Sequence, residues 1–243
     1  MKKTKYYIIF LMAVPCMMWA QAQDAGVQVG DKPAPGEKIS ALEFVMQGGP
    51  FMIPIVLLLF YTVYVGIERY RYIKRMSTFN TNLLTEIKMH VDKGNVHDAL
   101  AATQRDNSAY GLVLSEGMKV AERPIGEIEN NMEKVVNIEI GKMEKSLGNL
   151  GLIAGIAPTF GFIGTIAGVI KIFYNISISE NVSIGNISGG LYEKMISSGA
   201  GLIVGIIAYS CYHLLNTMID NFALRIQTVN LNFVNIIRPS KWQ

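Results

Sequence analysis

The sequence predicts an all-α polytopic membrane protein with three transmembrane helices, the second and third long enough to extend into a helical cytosolic domain. Three observations carry that expectation. Only 17% of the residues are charged, against a usual quarter, while half are hydrophobic. Three segments, 51–67, 148–173 and 191–219, each contain an uncharged apolar run sufficient to cross about 30 Å of hydrocarbon. Lys and Arg gather between the first two of them. A mean hydropathy of +0.28 argues against disorder. A formal net charge of +3 is too small and too dispersed for a nucleic-acid binder. The two cysteines, Cys16 and Cys211, offer no disulfide framework or metal cluster.

Residues 1–22 have the layout of a secretory signal: Lys2, Lys3 and Lys5 precede a short apolar run at 6–19, followed by Ala20-Gln21-Ala22 as an A-x-A cleavage pattern. The alternative is an uncleaved extra span, against which stand the shortness of the run and Pro15. A lipoprotein is disfavoured because Pro15 directly precedes Cys16, where a lipobox needs a small residue. Residues 23–50 then form an exported segment, polar and rich in Pro and Gly at first, with a short amphipathic helix expected at Ile39 to Met46.

The first span, 51–67, is followed at once by Glu68, Arg69, Arg71, Lys74 and Arg75, a basic cluster that fixes this end in the cytoplasm by the positive-inside rule. The segment 174–190 between the second and third spans carries Glu180 and no Lys or Arg, as expected of an outer loop. The topology is therefore N-terminus outside and C-terminus cytoplasmic.

Within the cytosolic loop, 68–147, Phe79 to Val91 reads as a helix stopped by Gly94, and Val96 to Gln104 begins another. From Ile125 onward Ile128, Met132, Val135, Val136, Glu139, Met143 and Leu147 recur at helical spacing, which predicts one unbroken helix running from the cytosol into the second span. In the segment 220–243, Leu224, Ile226, Val229 and Phe233 predict a cytosolic continuation of the third span.

Lipid tails are as apolar as leucine, so spans associate through small residues that let backbones approach. Gly151 and Gly155, Gly164 and Gly168, and Gly201 and Gly205 form small-xxx-small pairs, whereas the first span holds only Gly66 at its end. Spans two and three are thus the packed pair and span one the lipid-facing helix. Pro158, Gly161, Thr165 and Gly168 share one narrow face, as do Glu193, Ser197, Gly201, Gly205 and Ala208, with Ser198 beside them. Such stripes serve helix packing alone or line a polar path. Glu193 likewise either faces a bundle interior or forms an interfacial pair with Lys194.

Enzyme chemistry finds no support: there is no phosphate-binding loop, His90, His97 and His213 lack ligand spacing, and Ser197 and Ser198 have no intramembrane His or Lys partner at a plausible depth. No cofactor is expected.

The run Ala157-Pro158-Thr159-Phe160-Gly161-Phe162-Ile163-Gly164-Thr165-Ile166-Ala167-Gly168, followed by Phe173, resembles the second-span signature of the MotA/TolQ/ExbB proton channels, in the ExbB/TolQ branch. Glu193-Lys194-Met195-Ile196-Ser197-Ser198-Gly199-Ala200-Gly201-Leu202 is similar to the third-span signature. The resemblance implies a homopentamer whose second and third spans surround transmembrane helices of an ExbD- or TolR-like single-span partner. That partner would supply the proton-carrying aspartate, with a TonB- or TolA-like protein as the coupled third component. By the same resemblance Thr165 and Ser198 would line the pore and Glu193 would stand at its outer mouth. Three departures are visible: Ser198 where Thr is usual, Ile207 where Pro is common, and the extra charge of Lys171, expected to meet lipid headgroups or a carboxylate. A flagellar-type stator is disfavoured for want of a fourth span, and a non-conducting oligomeric scaffold is the alternative from another class.

Overall fold

The computed structural model describes residues 50–178 and 184–237. The expected signal at 1–22, the expected exported segment up to residue 49 with the short helix expected at 39–46, residues 179–183 of the expected outer loop and residues 238–243 lie outside the described residues. Among the described residues all regular structure is helical: α1 (Met52–Met76), α2 (Thr81–Asp92), α3 (Val96–Arg105), α4 (Ala109–Lys119), α5 (Ile125–Glu144), α6 (Leu147–Ile178) and α7 (Ile184–Ile237). Three helical stretches, containing α1, α6 and α7, are long and apolar enough to cross a membrane, in agreement with the predicted fold class. At 1.5 Å per residue the 54 residues of α7 measure about 80 Å, far more than the hydrocarbon thickness, so much of this helix must project beyond it. Among the described residues α6 reaches Ile178 and α7 is followed from Ile184.

Local chemistry explains the ends. Pro54 falls in the first turn of α1, where its missing N–H costs nothing, and Lys74 and Arg75 in the last turn oppose the negative helix terminus. Asn80 caps α2 by accepting from the Asn82 N–H, and Gly94 beyond its end adopts φ +77°, the left-handed conformation glycine tolerates. Ser108 caps α4 by accepting from the Gly111 N–H at 3.3 Å.

The helix expected to run unbroken from Ile125 into the second span is instead interrupted at Lys145 and Ser146. Ser146 takes φ +68°, a left-handed conformation that breaks the helical ladder although neither Gly nor Pro marks the place. Arg69 of α1 meets this junction, its Nη1 donating to the Lys142 carbonyl at 3.2 Å and thus satisfying one of the carbonyls left over at the end of α5.

The chain divides into two compact units. One comprises Met1–Val63 and Asn149–Cys211. Its core cluster joins Ile55 of α1 to Ile153 and Ala157 of α6 and Val204 and Ala208 of α7. Ile53, Leu57 and Phe60 form the opposite, exposed face of α1, which has one packed and one outward side.

The other unit comprises Tyr64–Gly148 and Tyr212–Gln243. Its core includes an aromatic chain, Phe79 to Tyr110 at 4.8 Å and Tyr110 to Phe222 at 5.2 Å between ring centroids. The buried stripe of distal α7 is Phe222, Ile226, Val229 and Phe233. Leu224, expected on that stripe, is out of phase with it and 66% exposed. Glu139 lies on the buried face of α5, where the helical period places it. Its side chain is 3% exposed and accepts from Lys142 Nζ at 2.7 Å. That hydrogen bond, and then the carboxylate's charge, raise the Lys142 ammonium above its usual pKa.

Candidate functional site

The seam between α6 and α7 lies wholly within the unit built from residues up to Val63 and Asn149–Cys211. At Gly161, Gly201 and Gly205 the absent side chain makes room for backbone of the facing helix. A Cβ on Gly161 would stand 2.9 Å from the Ser197 carbonyl oxygen and from Ser198 Cα. One on Gly201 would stand 2.5 Å from the Ala157 oxygen and 3.2 Å from Gly161 Cα. A Cβ on Gly205 would stand 2.6 Å from Cγ of the Pro158 ring and 3.1 Å from the Ala154 carbonyl oxygen. Proline 158 has no N–H for that carbonyl, so the glycine sits over the place where the α6 ladder is open. Gly164 packs against Phe51 and the Ser197 hydroxyl, and Gly168 receives the aliphatic stem of Lys194. Gly161, Gly201 and Gly205 therefore form a close backbone approach, extended by side-chain packing at Pro158, Gly164 and Gly168, in which dispersion replaces the hydrophobic driving force that lipid cannot supply.

Thr165 sits in the middle of the seam, half-buried. Its Oγ1 lies 3.2 Å from the Gly161 carbonyl on its own helix and 3.1 Å from the Lys194 carbonyl on α7, so its one hydroxyl proton is shared between two main-chain acceptors. Ser197 donates to the same Lys194 carbonyl at 2.9 Å and is fully buried. Lys194 O is thus a junction where hydroxyls from both helices converge.

Ser198 brings its backbone against Gly161 while its side chain is half-buried. Glu193 belongs to α7, one turn before Ser197, and its side chain lies outside the described residues. Lys171 is exposed on α6. Not every small residue joins the seam: Gly151 and Gly155 are exposed, and a Cβ on Gly155 would meet nothing within 4 Å. Neither the Lys194 carbonyl nor the seating of the Lys194 stem on Gly168 was readable from the sequence. A main-chain acceptor carries no residue signature, and a lysine beside a glutamate at a span end reads as an interfacial charge. The one available signal was Ser197 falling on the stripe with Gly201 and Gly205.

On either side of the seam apolar groups face outward, among them Phe162, Ile166 and Ile170 on α6 and Leu202, Ile206 and Tyr209 on α7. A chain with an exposed apolar surface of this kind meets lipid or other membrane helices there.

The model of the MotA/TolQ/ExbB proton channel family matches residues 105–228. An ExbB homolog of Methanothermobacter thermautotrophicus is 26% identical over 191 residues, which cover 78% of this chain and 68% of the relative. The biopolymer transport protein ExbB of Neisseria gonorrhoeae is 28% identical over 103 residues, 42% of this chain and 45% of its own. The Tol-Pal system protein TolQ of Haemophilus influenzae is 26% identical over 106 residues, 44% of this chain and 43% of its own.

Proposed function

The chain belongs to the MotA/TolQ/ExbB proton channel family, on its ExbB/TolQ branch, and from that membership we propose that this multi-pass membrane protein is the channel subunit of an inner-membrane motor. The motor uses the proton motive force to energise outer-membrane transport through a TonB-like protein. Five copies surround the transmembrane helices of an ExbD- or TolR-like single-span partner, with the N-terminus of each copy periplasmic and its C-terminus cytoplasmic. Similarity to TolQ supports a second task for the same motor, the maintenance of envelope integrity.

The observation that carries this proposal is the setting of Thr165. Residues 148–170 include no Asp, Glu, His, Lys or Arg, so α6 itself has nothing there to take up a proton. What it offers is a hydroxyl whose hydrogen points at the Gly161 and Lys194 carbonyls and whose lone pairs remain to accept. A protonated carboxyl on a partner helix can donate to that oxygen, and in a water-poor seam such a bond is stronger than in water. The partner's aspartate is then the group that loads and releases protons, Thr165 and Ser198 hold its neutral form in place along the pore, and Glu193 stands at the outer mouth. The energy scale is adequate, since one charge crossing 100 mV releases about 2.3 kcal/mol.

Replacing the hydroxyl with an isosteric methyl tests this directly. Thr165→Val is expected to abolish proton-motive-force-dependent uptake while the oligomer and its partner still co-purify, and Thr165→Ser is expected to retain it. Full uptake by Thr165→Val combined with Glu193→Ala, with the oligomer intact, would leave the scaffold as the better description.

A further inference from the structure

The later turns of α1 carry a face on which apolar and cationic groups follow one another. Tyr64, Ile67, Arg71, Lys74 and Arg75 recur at intervals of three and four residues and so share one side of the helix, within the unit of residues 64–148 and 212–243. All five are exposed, Tyr64 by 67% and Ile67 by 57%. Arg71 stands nineteen residues after Met52, a rise of about 28 Å, so a span that starts with α1 reaches the edge of about 30 Å of hydrocarbon here. The face is thus apolar at bilayer depth and cationic at the bilayer edge.

The protein does not neutralise these three cations. Glu68, the carboxylate in the same stretch, is held by Arg69, whose Nη2 donates to its Oε1 at 2.8 Å and whose Nε donates to its Oε2 at 3.4 Å. No ion pair joins Arg71, Lys74 or Arg75 to a carboxylate among the described residues. Lys74 instead lays its ammonium 5.7 Å from the centroid of the Tyr70 ring, one turn nearer the span. Like charges one turn apart repel, so an anion between them is stabilising. A ligand with an anionic head and an apolar body matches both parts of the face, whereas a nucleic acid or an acidic peptide would leave Tyr64 and Ile67 uncovered.

We propose that this face binds an anionic phospholipid of the adjoining leaflet, its phosphodiester held by Arg71, Lys74 and Arg75 and its acyl chain lying along Ile67 and Tyr64. Guanidinium forks suit phosphate oxygens, and the Tyr70 ring stands at the headgroup level, where amphipathic rings gather. Each cation near an anionic surface is worth roughly fivefold in affinity, so three give a preference over a zwitterionic headgroup of up to roughly a hundredfold.

A tryptophan on the face reads the lipid beside it. With Trp19→Phe and Trp242→Phe, Tyr64→Trp is the sole tryptophan of the full chain. This parent is reconstituted in phosphatidylcholine vesicles that contain a small, equal fraction of either phosphatidylglycerol or phosphatidylcholine brominated on its acyl chains. Quenching by the brominated phosphatidylglycerol is expected to be several-fold the stronger. Arg71→Gln, Lys74→Gln and Arg75→Gln together are expected to remove the difference. Lys88→Gln, Lys93→Gln and Lys134→Gln, which take the same charge from exposed positions elsewhere in the unit, are expected to keep it. Should the first triple variant lose its helices by circular dichroism, the parent in concentrated salt makes the same test without a further substitution, and its preference is expected to fall. Equal quenching by the two lipids in the parent would overturn the proposal. A preference that survives loss of the three α1 cations, or that resists salt, would overturn it as well. Loss of the preference in the Lys88, Lys93 and Lys134 variant would assign it to net charge and overturn the site.

Discussion

Gly201→Ala is the sharpest probe of the α6–α7 seam. The added Cβ would stand 2.5 Å from the Ala157 carbonyl oxygen and 3.2 Å from Gly161 Cα. Carbon and carbonyl oxygen settle at about 3.3–3.6 Å, so the two helices must part by about 1 Å along that line. Both obstructing groups are main chain, and no change of rotamer relieves them. Overpacking of this kind costs about 1–3 kcal/mol, and the intrinsic helical advantage of alanine returns about 1 kcal/mol. The net expectation is a loss of up to about 2 kcal/mol. Gly155→Ala is the matched control on α6: its Cβ meets nothing within 4 Å, so only the helical gain of up to about 1 kcal/mol remains. The two substitutions should therefore move stability in opposite directions. Unfolding of the detergent-solubilised chain, followed by circular dichroism at a concentration where it is monomeric, reads both. A Gly201→Ala chain stabilised as much as the Gly155→Ala chain would refute the close approach. Separation of the helices should also lengthen the 3.1 Å contact from Thr165 to the Lys194 carbonyl, so transport activity should fall with stability.

Three further outcomes follow from the unit of residues 64–148 and 212–243. Ser146 at φ +68° is strained, so Ser146→Val should cost about 1–2 kcal/mol in the same unfolding assay while Ser146→Gly should not destabilise. Arg69→Met removes the donor to the Lys142 carbonyl, and the α5 end should lose about 1–2 kcal/mol and exchange its amides faster. Burial pushes the Tyr110 phenol above its usual pKa of 10.0, so its neutral form contributes stability that is complete below pH 10 and lost as pH rises through the folded value. Because the Tyr110 hydroxyl has no hydrogen-bond partner among the described residues, Tyr110→Phe should leave stability at pH 7 unchanged or slightly higher. Its alkaline loss measured by pH titration should be smaller than the parent's.

The sequence carried the fold class because its evidence is collective: apolar runs long enough to cross a bilayer, and a basic cluster after the first. Gly94 announced the end of α2 because a left-handed residue there is a glycine's task. The break at Lys145 and Ser146 gave no such sign, since a serine can be forced left-handed by its surroundings, here an α5 terminus held by Arg69 seventy-three residues earlier in the chain. Leu224 misled for a related reason: period alone did not distinguish the phase set by Phe222 from one shifted by two residues. At the seam, Pro158, Gly161, Thr165 and Gly201 were visible by spacing. That Thr165 and Ser197 share the Lys194 carbonyl was not, because an acceptor on the main chain depends on how two helices meet and not on which residue supplies it.

Proton flux into liposomes is the most direct measure of whether this subunit conducts only with a partner's carboxyl. The purified oligomer alone is predicted to hold a pH gradient, and the oligomer assembled with a single-span, aspartate-bearing partner is predicted to dissipate it, in a manner lost with Thr165→Val. Proton flux through the oligomer alone, or flux through the complex that Thr165→Val leaves untouched, would contradict it.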